Sequence, residues 1–213
     1  MTLCSKDWKE REKQRRREEI LLAAEKCFGR KNYHECTMED IAKEYGCAVG
    51  SIYNFFGSKE EIYREIFATQ AATLMEFIEN FNPGTDDPLA AVSELILARL
   101  EHGMKCQNSI KMFLQNRMHE NFANDSMWHE SVWPAIKRAR EKLESYLKAG
   151  KEKGLLRDEL PLEILARMIE QNIFLILEEA CYNRDLLGLS DEFSLSQRRD
   201  FLMAVFFDGI RKK

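Results

Sequence analysis

The sequence predicts an all-α chain, and three observations carry that prediction. Apolar residues recur at spacings of three and four through almost every long segment, the period of a helix with one buried face. No stretch alternates apolar and polar residues between turn clusters, as a half-buried strand would. Only four prolines and ten glycines interrupt 213 residues, so long helices have room to form. Hydrophobic residues at 45% and charged residues at 32% belong to a soluble globular protein. The length suits one large domain, or a small one joined to a larger one.

Residues 1–15 are polar and are expected to fray, with Trp8 as their one anchor. From about Glu10 a helix runs to Gly29, burying Ile20, Ala23, Ala24, Cys27 and Phe28, and Gly29 is read as its stop. Tyr33 and Cys36 fall in the connection that follows, with Tyr33 a lid on the small core. Thr37 and Asp40 open the next helix, since a threonine hydroxyl and a first-turn carboxylate satisfy orphan backbone donors. It reaches about Tyr45, with Met38, Ile41, Ala42 and Tyr45 on one face, and Gly46 ends it in the left-handed conformation. A second short segment starts at about Ala48. It turns Val49, Ile52 and Phe56 inward and leaves Ser51, Tyr53 and Asn54 pointing out. Gly57 closes it, Ser58 caps the next helix, and Lys59 lies in that helix's first turn.

The helix beginning there runs to about Phe81, with Ile62, Ile66, Leu74, Phe77 and Ile78 spaced for burial. No linker separates it from what precedes, so a continuous rod joins the two parts of the chain. Residues 82–88, NPGTDDP, are a loop. Asp87 and Pro88 start a helix carrying Leu89, Val92, Leu95, Ile96, Arg99 and Leu100 to about His102. Residues 109–122 form another, with Ile110, Phe113, Leu114 and Met118 on one side, and the aromatic-rich stretch 123–134 reads as irregular. A helix from Pro134 through Lys153 follows, carrying Ile136, Leu143, Tyr146 and Leu147, and Gly154 ends it. The last two helices, 161–182 and 196–211, are apolar nearly all round. A helix of that kind must be covered on every side. A two-fold interface of four helices, two from each of two copies, covers them; an internal pair in a monomeric bundle is the alternative.

Helix, glycine turn and helix between Thr37 and Phe56 is the unit that lays its second helix in the DNA major groove. Ordinary bundles also contain such pairs, so the flanking sequence matters. The net charge is −4, which as a bulk figure disfavours nucleic acid. Its distribution argues the other way: the first 17 residues hold seven basic and three acidic side chains, a local positive potential of the kind phosphate contact needs.

Residues Arg16 to Phe67 resemble the N-terminal domain of the TetR family of one-component bacterial regulators. The resemblance is carried by the I-L-x-A-A-x-x-x-F helix, the T-M-x-D-I-A helix, the G-S-I-Y-N-F-F segment and the G-S-K-E-E start. It implies a three-helix helix-turn-helix DNA-binding domain over residues 1–57, with a basic N-terminal arm. A larger helical effector-binding and dimerisation domain then occupies residues 58–213.

The resemblance further implies that Ala48 to Asn54 enters the major groove. Ser51 and Asn54 would hydrogen-bond base edges, and Ala48 and Val49 would offer apolar contact. Gly50 would allow close approach to the backbone. Thr37, Tyr53 and Lys59 match positions that bind phosphate; a core role is the alternative for Tyr53. Phe55 departs from the histidine many relatives carry, which removes one phosphate contact from the expectation.

The implied function is a homodimeric repressor of a pseudo-palindromic double-stranded operator. It would dimerise through 161–182 and 196–211 and be released by a small, largely apolar effector. Pocket candidates are Met104, Phe113, Arg117, Trp128, Trp133, Gln171, Phe174 and Glu178, each with ordinary core packing as its bland reading. An effector-independent regulator, an activator, and a helical ligand-binding protein or enzyme are the competing readings. No nucleophile–base pair or phosphate loop favours an enzyme.

No cofactor is expected. His102, His119 and His129 lack the short ligand spacing of a metal site. Six cysteines without a C-x-x-C pair, with no secretory signal or membrane-length apolar run, suggest a reducing cytoplasm. Cys47, in the turn before the groove segment, is either a small buried thiol or an oxidant sensor.

Overall fold

The computed structural model describes residues 3–117, 128–182 and 194–210. The helices are α1 (Leu3–Lys31), α2 (Met38–Tyr45), α3 (Val49–Tyr53), α4 (Lys59–Asn80), α5 (Pro88–Lys105), α6 (Gln107–Arg117), α7 (Trp133–Glu152), α8 (Leu162–Tyr182) and α9 (Leu195–Ile210). A π-helical turn, Trp128–Val132, leads into α7. No strand occurs among the described residues, and no helix among them is long and apolar enough to cross a membrane.

Two apolar cores organise the chain. The first gathers Ile20, Ala24 and Phe28 of α1, Ile41 of α2, Ile52 of α3 and Phe56 against Ile62, Ile66 and Phe67 at the start of α4. Tyr33 closes it as expected, its ring centroid 5.8 Å from Phe28 and 4.6 Å from Tyr63. This core does not stop at α4 but continues into Met112, Phe113 and Leu114 of α6 and Ile136 of α7. The second core takes Ile78 of α4, Leu95 and Leu100 of α5, Leu143 and Leu147 of α7, Ile169 and Ile173 of α8, and Leu202 and Phe207 of α9. Helix α4 therefore belongs to both cores, as the unbroken rod requires. Helix ends follow local chemistry: Ser58 accepts the Glu61 N–H at the start of α4, Asp87 accepts the Leu89 N–H at the start of α5, and Gly154 turns the chain after α7 at φ +70°.

At the N-terminus the structure corrects the expectation. Residues 3–15 are helical, because Arg11 pairs with Asp7, Arg15 with Glu12 and Glu19, and Arg16 with Glu12 along one side of α1. Such i,i+3 and i,i+4 pairs each add a few tenths of a kcal/mol to a helix. Trp8 is 65% exposed, not buried as an anchor would be. Gly29 does not end α1, which runs to Lys31. Asn32 makes the left-handed turn instead (φ 64°), its side-chain oxygen accepting the N–H groups of His34 and Glu35. Gly29 marks a close approach: a β-carbon there would lie 3.0 Å from Cβ and 3.2 Å from Cα of Asn108 in α6.

Further along, α3 ends at Tyr53 instead of reaching Phe56, and α5 extends past His102 to Lys105. The part of 123–134 that is described is helical rather than irregular. Met118 and residues 119–127, including the end of the helix expected over 109–122, lie outside the described residues, as does Arg211.

Candidate nucleic-acid interface

The α2–turn–α3 unit is built by short-range bonds. Thr37 accepts the Asp40 N–H at 3.1 Å, and Asp40 accepts the Thr37 N–H at 3.1 Å, a complete capping box. Lys31 holds the other carboxylate oxygen of Asp40 at 2.7 Å. Lys31 first, and then Thr37, pull the Asp40 carboxyl down to about 2. Gly46 adopts φ 86°, and both its N–H and that of Cys47 close on Ala42 O at 2.9 Å. Only a residue without a β-carbon takes that conformation freely, so α2 stops there and the chain reverses into α3.

Helix α3 has one wholly buried residue, Ile52, and a half-buried Val49. Ala48, Gly50, Ser51, Tyr53 and Asn54 are exposed, Tyr53 by 53%. Nothing approaches within 4 Å of a β-carbon built on Gly50. Tyr53 is thus a surface side chain and not a core aromatic. The outward face of α3 presents an amide, two hydroxyls and small apolar groups, with no acid. Those groups are chemically able to donate and accept at base edges and phosphates.

Behind that face sits a residue that sequence reasoning placed only in the charged arm. The guanidinium of Arg17 lies 4.0 Å from the Phe56 ring centroid, donates to Phe55 O, and binds Glu61 and Glu65 of α4. It ties α1, the exit of α3 and α4 together. Phe55 packs half-buried against the core. Lys59 is similarly engaged: its ammonium donates to Tyr33 O at 2.7 Å and Cys36 O at 2.8 Å, and lies 4.3 Å from the Tyr33 ring centroid. Two of its three donors hold the α1–α2 connection. Burial raises the Cys47 thiol and pushes the Cys36 thiol up to about 12, so neither is a ready thiolate at neutral pH.

A second candidate site is a half-open cavity of about 100 Å³ lined by α4, α5, α6, α7 and α8. Phe113 and Phe174 meet in it, their rings stacked with centroids 5.3 Å apart. Arg99, His102 and Ser109 also line it; a sequence reading that ranks aromatics passes over them. Met104 packs, half-buried, on the second core outside the cavity wall. Gln171 and Glu178 are exposed on α8, and Trp133 is 37% exposed beneath the Arg140 guanidinium. The side chains of Arg117 and Trp128 lie outside the described part of the structure.

Helix α6 connects the two sites. Its Ile110 and Phe113 wall the cavity, while Ser109 donates to the buried Glu25 carboxylate of α1 at 2.5 Å and Asn108 abuts Gly29. Ile164, Met168 and Leu175 of α8 and Phe201 and Val205 of α9 are each more than half exposed. Gln171 lies one turn from Met168 and Leu175 on the same outward face.

A family model described as "Bacterial regulatory proteins, tetR family" matches residues 20–66. An uncharacterised HTH-type transcriptional regulator of Bacillus subtilis, YhgD, is 31% identical over 143 residues, which are 66% of this chain and 69% of the relative. The HTH-type transcriptional repressor AcnR of Corynebacterium glutamicum is 24% identical over 179 residues, 84% of this chain and 89% of the relative. Among solved structures, the transcriptional regulator FadR of Bacillus subtilis, in complex with stearoyl-CoA, superposes with a TM-score of 0.70 at 18% identity. That alignment covers 91% of this chain and 98% of FadR.

Proposed function

The chain belongs to the TetR family of bacterial regulatory proteins, and from that premise we propose that it is a homodimeric, cytoplasmic repressor of a pseudo-palindromic operator. In this reading residues 1–57 bind DNA, and residues 58–213 dimerise and hold a small-molecule effector. One observation carries it above all: α3 buries Ile52 completely while presenting Ser51, Tyr53 and Asn54 to solvent. Ser51 and Asn54 read base edges, Ala48 and Val49 offer apolar contact, and Gly50 lets the backbone approach. Thr37, Tyr53 and Lys59 hold phosphate. Because Thr37 and Lys59 already bond within the chain, their part is to present the starts of α2 and α4 to the duplex, with one ammonium donor of Lys59 remaining for an oxygen.

Dimerisation through α8 and α9 is supported by the exposed stripe of Ile164, Met168, Leu175, Phe201 and Val205. Large apolar side chains left exposed in this number are what an interface covers. Repression is supported by the likeness to AcnR, and control by an effector by the cavity and by the structure of FadR with its acyl-CoA. A molecule that spreads the walls at Ile110 and Phe113 displaces α6. Helix α6 has no slack against α1 at Gly29, so α1, and α3 with it, must follow. The effector releases DNA by as much as it prefers that displaced form.

Genome fragments selected on the full chain supply the operator, and fluorescence anisotropy then measures affinity as salt is raised. A steep log–log loss is expected from neutralising several phosphates. Tyr53→Phe weakens every duplex alike, whereas Asn54→Ala changes the ranking of operator variants. Salt-independent binding, or an Asn54→Ala variant that scales all affinities equally, refutes the assignment of this face.

A further inference from the structure

Arg99 is the one permanently charged side chain among the described residues lining the cavity. Its side chain is 5% exposed, and that of Glu170 behind it is 1% exposed. Glu170 accepts from Arg140 Nε at 2.8 Å through one oxygen. Its other oxygen stands 3.7 Å from Arg99 Nη2, an ionic contact longer than a hydrogen bond. Two guanidiniums thus share one carboxylate, and the group carries a surplus positive charge inside the protein. Arg99 Nη1 and the facing Glu170 Oε1 are both buried with no hydrogen-bond partner, so the ion pair is left unsatisfied on each side. Native interiors leave few such atoms unpaired, and a cationic donor is the costliest kind to leave so.

We infer that this cavity recognises a compact apolar molecule carrying one carboxylate, whose oxygens take up the unpartnered donor of Arg99 while its body lies against Phe67, Phe113, Phe174 and Leu177. The inference rests on the effector reading above and names the chemical class. One negative charge matches the one surplus positive charge, and a guanidinium fork fits a carboxylate bidentately. A phosphate dianion overcompensates, and an amine is repelled by both arginines. His102 offers no competing cation: burial, then Lys105 and Arg99, push its pKa down. Behind the wall residue Ser109, the buried acid Glu25 is already taken up by the Ser109 hydroxyl. With about 100 Å³ available, less than the ~150 Å³ of a cavity that admits benzene, only an acid smaller than benzene fits without displacing the walls. A larger one spreads them, which is the movement release requires.

The test uses the purified full-length protein and three probe acids, butyrate, hexanoate and benzoate, beside their alcohols and amines. Binding is read by calorimetry and by thermal shift. At least one acid is expected to bind about tenfold or more tightly than its alcohol, with no binding by the amine. Arg99→Met removes that preference. Arg99→Lys, which keeps a charge but not the fork, loses part of it and serves if the methionine variant fails to fold. Equal binding of acid and alcohol, binding of the acid indifferent to both substitutions, or no binding by any acid at millimolar concentration overturns the inference. Operator release is scored separately. An acid that binds through Arg99 without loosening DNA defeats the effector reading and leaves the ligand class standing. Release by a neutral compound that ignores Arg99 does the reverse.

Discussion

Phe201 offers the most direct test of how two copies of the chain meet. Its side chain is 72% exposed within one protomer, beside Val205 at 58% on the same face of α9. Full burial of a phenylalanine is worth up to about 3 kcal/mol, so covering the exposed part recovers about 2 kcal/mol per copy. A two-fold interface contains the residue twice, giving about 4 kcal/mol, or about a thousandfold in the dimer dissociation constant. Phe201→Ala should forfeit most of that. Val205→Ala should forfeit about half as much, because a smaller side chain contributes less area. Sedimentation velocity from nanomolar to micromolar concentration measures the shift directly. The melting temperature of the monomer should stay put, since neither side chain packs inside its own protomer. A Phe201→Ala protein that dimerises as tightly as the parent, or a parent that stays at 25.0 kDa throughout, would show that α9 is not the contact.

Three further perturbations probe the parts that connect the interface to the cavity. Gly29→Ala places a β-carbon 3.0 Å from Cβ and 3.2 Å from Cα of Asn108; overpacking should cost about 1–3 kcal/mol in urea unfolding and outweigh alanine's better helix propensity, and a stabilised variant would show that α1 and α6 can part freely. Lys59→Met strands the carbonyls of Tyr33 and Cys36 and should lower stability by about 1–3 kcal/mol as well as weakening DNA binding; weaker binding with an unchanged melt would mean the ammonium serves only the duplex. Asp40, moved from its ordinary 3.8 to about 2 by Lys31 and Thr37, has a lowered folded-state pKa, so its contribution is complete above about 4 and is lost as pH falls toward 2. Melts across that window should converge for the parent and Asp40→Asn at the acid end, and curves that stay parallel would contradict the assignment.

Much of this molecule was legible as sequence because its helix boundaries are set by neighbours a few residues away. Thr37 and Asp40, Gly46, Ser58, Asp87 and Gly154 do in the structure what their chemistry implies, and the burial of Ile52 beside the exposure of Ser51, Tyr53 and Asn54 follows from helical spacing alone. The same rule explains the misreadings. Glycine is the usual left-handed residue, which makes Gly29 read as a stop, but the Asn32 side chain bonds its own turn and the glycine is needed where α6 crosses. Polarity alone predicts fraying over residues 3–15, whereas the i,i+3 and i,i+4 charge pairs hold them helical.

What tertiary structure alone decided concerns residues that meet across long stretches of chain. Arg17 reads as arm charge until Phe55, Phe56, Glu61 and Glu65 fold around it, and Lys59 reads as a free cation until two carbonyls from the α1–α2 connection close on it. Arg99 sits on an inward face in any helical reading, yet only the arrival of Glu170 and Arg140 from two other helices makes it part of a buried charge cluster beside a cavity, with one donor unpaired. Helical periodicity says which way a side chain points. The partners waiting for it, and so its charge balance and its chemistry, depend on how separate helices cross.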